Sequence, residues 1–181
     1  MNPEEAAPAA GPSPAATIDG EVRLAVYRGF LEDGQAPEPA ALAASLRQPL
    51  DEIEAALHRL ADNHVLVLER GTSAVRMAMP FSNVRTGFRV EVPFLSWYAN
   101  CAWDALGIPA LLHGAHRLPT LSPQRIITSC PDCDETLTLF FPGAGAPPAL
   151  LPANPDSSPQ PPPLAHFVVP AAHWWDDILH T

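Results

Sequence analysis

Apolar residues in the first half of the chain recur with the period of a helix. From Ile18 onward, Val22, Val26, Tyr27, Phe30 and Leu31 fall on one stripe, which Asp33-Gly34 ends. A second, short helix is expected after Pro37, using Ala41, Leu42 and Leu46. A third is expected from about Pro49 to Asn63. Pro49 suits a first helical turn, and Ile53, Ala56, Leu57 and Leu60 make a buried face. The period then shortens to that of strands. Val65 to Leu68, a turn at Gly71-Thr72, and Ala74 to Met79 read as a β-hairpin. Three helices and a hairpin predict a winged-helix-like domain over residues 18–80.

Beyond Pro80 the pattern changes. Gly87 to Val92 alternates as a strand, and Leu95 to Leu106 reads as an apolar helix ended by Gly107 and Pro109. Arg125 to Ser129 and Thr136 to Phe141 read as strands joined by a turn at Cys130–Asp134. His166 to Val169 reads as a last strand and Ala171 to Leu179 as a last helix. The expected fold class is α+β: the three-helix winged-helix-like module, then a small mixed-sheet domain over residues 81–181. Of the chain's 23 prolines, many crowd into its start and into the stretch from Pro142 to Pro163. Residues 1–17 therefore read as a Pro/Ala tail with nothing to pack, and 142–165 as a long flexible loop.

Charge narrows the classes of partner. The formal net charge is −10, which repels nucleic acid and anionic membrane surfaces. A winged helix would read DNA with the start of its third helix, yet Asp51, Glu52 and Glu54 stand there. No apolar run approaches the roughly 20 residues of a membrane span. The first residues carry glutamates and no basic residue, unlike a signal peptide. Three cysteines, an odd number, argue against a disulfide framework and for a reducing, cytoplasmic setting.

The candidate chemistry centres on Trp97-Tyr98-Ala99-Asn100-Cys101-Ala102-Trp103-Asp104-Ala105-Leu106-Gly107-Ile108-Pro109-Ala110-Leu111. On a helix, Cys101 and Asp104 share one face. Apolar surroundings would hold the carboxyl protonated, ready to deliver a proton. They would also disfavour a bare thiolate unless a soft metal binds it. The bland alternative is a buried small cysteine beside an aspartate bonded to backbone. Trp97 and Trp103 are expected beside this helix, where they would wall an apolar pocket. Cys130-Pro131-Asp132-Cys133 reads either as a metal-free turn or, joined by His113 and His116, as a tetrahedral structural zinc set. The aromatic and histidine cluster His166, His173, Trp174, Trp175 and His180 is expected to cap a core or to fray at the terminus.

The segment Tyr98 to Leu111 resembles the signature of the alkylmercury (organomercurial) lyases, Tyr-Ala-x-Cys-Ala-x-Asp followed by Pro-Ala-Leu. The order of elements is similar, Cys130 falls near a family cysteine, and His166-Phe167 with Pro170 and Trp174 or Trp175 resembles the family's closing segment. The resemblance implies protonolysis of a carbon–mercury bond, giving a hydrocarbon and Hg(II). Cys101 would be the metal-binding thiolate and Asp104 the proton donor. No resident cofactor is implied; Hg(II) is product and ligand, and thiols accept it. The family's second catalytic cysteine should precede His166-Phe167, where this chain has Pro161-Pro162-Pro163-Leu164. Either Cys130 or Cys133 then joins Cys101 at the metal, or the chain is a non-catalytic homologue that binds or senses a soft metal or small apolar ligand.

Overall fold

A computed structural model of the protein describes residues 14–114, 124–129, 136–141, 149–151 and 175–176. Its elements follow the α+β order expected: α1 (Pro14–Asp33), α2 (Pro39–Leu46), α3 (Leu50–Asp62), β1 (Val67–Leu68), β2 (Val75–Ala78), β3 (Phe81–Ser82), β4 (Phe88–Val92), β5 (Leu95–Ala99), α4 (Ala102–Gly114), β6 (Gln124–Ser129), β7 (Thr136–Phe141) and β8 (Ala149–Leu151). Helix α1 begins at Pro14, inside the segment expected to be an unpacked tail. Proline is well placed there, because the first helical turn has no use for its missing N–H.

The helical stripes bury largely as the sequence pattern requires. Val22, Val26 and Phe30 of α1 meet Ile53, Ala56, Leu57 and Leu60 of α3, with Leu42 and Ala43 of α2 closing the group. Ala41 and Leu31, by contrast, face solvent. Pro49 caps α3 rather than starting it, and Asp51 and Glu52 fill its first turn, where acidic groups favour the helix dipole.

The described strands form one eight-stranded sheet in the order β1-β2-β3-β5-β4-β6-β7-β8, with every neighbouring pair antiparallel. The β1–β2 hairpin is therefore continuous with the rest. Strands β2 and β3 flank Pro80 and pair Met77 with Ser82 and Ala78 with Phe81, across the position expected to divide two domains. A stack of aromatic residues reinforces the join. Phe30 stacks on Phe81 with centroids 5.1 Å apart, Phe81 lies 6.2 Å from Trp97, and the Trp97 indole N–H donates to the Phe30 carbonyl.

Two expectations fail here, and the second matters for the site. Ala149–Leu151 is a strand paired with β7, not part of a featureless loop; its Ala-Leu-Leu run supplies the partner that the edge of β7 lacks. Leu95–Ala99 is a strand, not the start of a helix. Val90 pairs with Trp97 and Phe88 with Ala99, and Trp97 and Ala99 are buried while Ser96 and Tyr98 are partly open. Period two thus wins over a run of apolar residues that fits either element. The helix begins at Ala102 and carries Gly107 and Pro109 within it. Pro109 cannot donate to the Ala105 carbonyl, a defect offset here by burial of Ala105, Ile108 and Leu112 against β4, β5 and β6.

Candidate active site at the β5–α4 junction

Cys101 is not on a helical face; it is the residue through which β5 turns into α4. Its carbonyl accepts the first helical hydrogen bond, from Ala105 N at 3.0 Å, which makes it the N-cap. Its Sγ accepts the Asp104 N–H at 3.5 Å, the contact a capping hydroxyl ordinarily makes. The thiol in turn donates to Asp104 Oδ2 at 3.6 Å. The sulfur-to-amide contact is the first half of a capping box, and the Asp104 carboxylate takes the thiol proton where a full box would take the Cys101 backbone N–H. The two residues expected to react are therefore brought together, by a cap instead of a helical turn.

The environment pulls on both groups. Burial pushes the half-buried Cys101 thiol above its ordinary range, and the Asp104 charge and its hydrogen bond add to this, while the Asp104 and Trp103 amides pull the other way. Burial likewise raises the Asp104 carboxyl, opposed by the Asn100 side chain and the Cys101 thiol. Asn100 Nδ2 donates to the Phe81 carbonyl at 3.4 Å, and its buried Oδ1 has no hydrogen-bond partner among the described residues. Close by, Tyr27 of α1 donates its hydroxyl to the Met79 carbonyl at 2.9 Å. Burial raises that phenol, the cation of Arg23 lowers it, and the Asp104 charge raises it further.

Tyr27 and Asn100 carry no sequence signal that marks them for this site. In the sequence Tyr27 is one more position of the apolar stripe, and Asn100 the variable position within the motif. No local pattern ties Tyr27 to Asp104, because the two lie on helices far apart in sequence. Trp97 does not wall a pocket: it is buried in the Phe30–Phe81 stack, whereas Trp103 is 63% exposed. Thr86 Oγ1 instead braces the strand end, donating to the Ala99 carbonyl.

Of the other candidates, Cys130, Cys133 and His116 lie outside the described residues. His113 is in the last turn of α4, where only the backbone is described. Among the described residues no group of histidines, cysteines and acids is placed to hold a metal ion. Strands β5 and β6 both pair with β4 and so run in the same direction. Ala99 and Thr128 both stand opposite Phe88. Strands β5 and β6 thus end, at Ala99 and Ser129, at the same end of the sheet, two strand spacings or about 10 Å apart.

Residues 81–177 match the family model described as alkylmercury lyase, MerB. The chain belongs to the alkylmercury lyase family. Among solved structures, one described as the mercury-bound form of MerB2 is similar to this family member at 17% identity and a TM-score of 0.48, over 68% of this chain. The likeness spans only 54% of that protein, about half its length. No curated protein matches the chain. No helix among the described residues is long and apolar enough to cross a membrane.

Proposed function

We propose that the protein takes an organomercurial at Cys101 and cleaves its carbon–mercury bond with a proton delivered by Asp104. The observation that carries this reading is the Cys101–Asp104 pair, Sγ to Oδ2 at 3.6 Å, at a half-buried helix N-terminus. As mercury binds, the thiol gives up its proton to the Asp104 carboxylate and sulfur forms a bond to mercury, displacing the ligand that came with the substrate. The carbon–mercury bond then breaks with its electron pair on carbon, and carbon takes the proton back from Asp104. Hydrocarbon leaves, Hg(II) stays on sulfur, and no oxidation state changes. A raised carboxyl pKa suits a group that must hold a proton and then release it to a carbanion.

A second sulfur is needed to complete two-coordinate Hg(II) and to load electron density onto the leaving carbon. With prolines where the family's second cysteine would stand, Cys130 or Cys133 is the source within the chain, and a small-molecule thiol the source outside it. The experiment is incubation with phenylmercuric acetate and excess glutathione, with benzene measured in the headspace. Benzene above the thiol-only background, lost in Cys101→Ser, is expected. No benzene, with mercury bound one-to-one through Cys101, would instead support a binding or sensing homologue.

A further inference from the structure

We infer that Asn100 is a positioning residue for the proton transfer: its side-chain amide holds the Asp104 carboxyl beside Cys101, and its carbonyl oxygen accepts a hydrogen bond from that carboxyl while it carries the proton. The inference rests on the reading of Cys101 and Asp104 above. Asn100 stands between the last residue of β5 and the Cys101 cap, so its backbone is fixed from both sides. Its Nδ2 donates to the Phe81 carbonyl at 3.4 Å, and the same side chain hydrogen-bonds the Asp104 carboxyl. An amide nitrogen carries two hydrogens, enough for both contacts. The base of this brace is well packed. Phe81 is fully buried, stacks on Phe30 at 5.1 Å, and pairs with Ala99 across β3 and β5.

The other half of the amide has work left to do. Asn100 Oδ1 is buried and has no hydrogen-bond partner among the described residues, and a buried acceptor left unpaired is costly. Turning the amide over would set that oxygen against the Phe81 carbonyl, acceptor against acceptor, so its neighbours fix the orientation. Both ends of the amide lie on one small plane, and a carboxyl that meets Nδ2 is within reach of Oδ1. An ionised carboxyl only accepts, whereas a protonated one also donates through its O–H. Asn100 can therefore answer Asp104 in both forms, through Nδ2 before the thiol proton arrives and through Oδ1 as well afterwards. A side chain that only donates would favour the ionised form alone. Asn100 itself neither gains nor loses a proton.

The test separates binding from turnover in the intact protein. Phenylmercuric acetate is added at one equivalent, and the Cys101 adduct is read by intact-mass spectrometry against a Cys101→Ser blank. Benzene is then timed after excess glutathione is added. Asn100→Leu keeps the size of the side chain and removes both polar ends, and Asn100→Ser removes its reach. Both variants should form the adduct at the parent's rate while benzene release falls about tenfold to a hundredfold, the cost of a misplaced reacting group. Asn100→Gln, which keeps the amide on a longer stem, should recover part of that loss. A merely structural role would slow both steps together. Benzene release at the parent's rate in either the Leu or the Ser variant, or a parallel fall of adduct and benzene in both, overturns the assignment of Asn100 and leaves the chemistry at Cys101 standing. A parent protein that forms the adduct and yields no benzene overturns the proposed reaction, and the role of Asn100 with it.

Discussion

Asp104→Asn should make Cys101 a better nucleophile while it abolishes turnover. The substitution keeps the shape of the side chain and removes its charge 3.6 Å from Sγ. Two like charges about 4 Å apart repel by about 1 kcal/mol in water and about 4 kcal/mol at an effective dielectric of 20. Both groups are only half-buried, so the lower figure is the safer one. Lifting about 1 kcal/mol from the thiolate multiplies its population about fivefold. The lost hydrogen bond from the thiol to the carboxylate acts in the same direction, because it too had favoured the protonated sulfur. The assay is the pH profile of iodoacetamide alkylation, followed by intact mass against a Cys101→Ser blank. The expected profile moves to lower pH, with alkylation about fivefold faster where the wild-type thiol is mostly protonated. Benzene release from phenylmercuric acetate should fall about 10²- to 10⁴-fold, the span of a lost general acid. Slower alkylation in the Asn variant, or benzene release that survives it, would refute the assignment of Asp104 as the proton donor set against Cys101.

The same variant should be more stable than the parent at neutral pH. Burial raises the Asp104 carboxyl above the ordinary carboxylate range, so the folded chain holds that proton more tightly than the unfolded chain, and stability falls as pH rises through the folded value. The melting temperature of Asp104→Asn should therefore exceed the parent's at pH 7, with the gain vanishing below about pH 4 in differential scanning fluorimetry. Trp97→Phe removes the indole bond to the Phe30 carbonyl, which keeps its bond from Gly34 N at 3.0 Å. One hydrogen bond and a partial cavity should lower stability by about 2 kcal/mol in urea melts. Gly34 has φ of +78° and a Cβ there would meet the Ser96 carbonyl oxygen at 2.7 Å. Gly34→Ala should destabilise by more than about 1 kcal/mol in the same melts, whereas relief at that position would mean that β5 moves freely away from α1.

What the sequence made legible follows from periodicity. Helix α3 was readable almost to the residue, because Ile53, Ala56, Leu57 and Leu60 show one period and the opposite face is charged. Strands β6 and β7 were readable for the same reason. The stretch from Leu95 onward was not. Its residues are apolar in both periods, and what decides is pairing with β4 and β3, which no local window contains. Pro109 misled in turn, since a proline ordinarily marks a helix end, and tertiary packing of Ile108 and Leu112 overrides it. The Cys101–Asp104 pair is legible as a motif, yet its geometry is not. A helical i, i+3 pair would have left the thiol among side chains, whereas the N-cap gives it two backbone amides aimed at sulfur.

That geometry also changes what the residues before the family-matched region contribute. The match begins at residue 81, but Phe81 packs on Phe30 of α1, and Trp97 donates to the same helix. Tyr27 holds the Met79 carbonyl and stands within the field of Asp104. From the other end of the chain, Trp175 stacks on His64, just after α3, at 4.3 Å and 11°. Helix α1 therefore borders the Cys101–Asp104 pair through Tyr27, with α2 and α3 packed against α1. Charge agrees, since the start of α3 is acidic and unsuited to DNA. On the proposed reading, a change at Tyr27 should alter the surroundings of Asp104 while the sulfur and the carboxyl stay as they are.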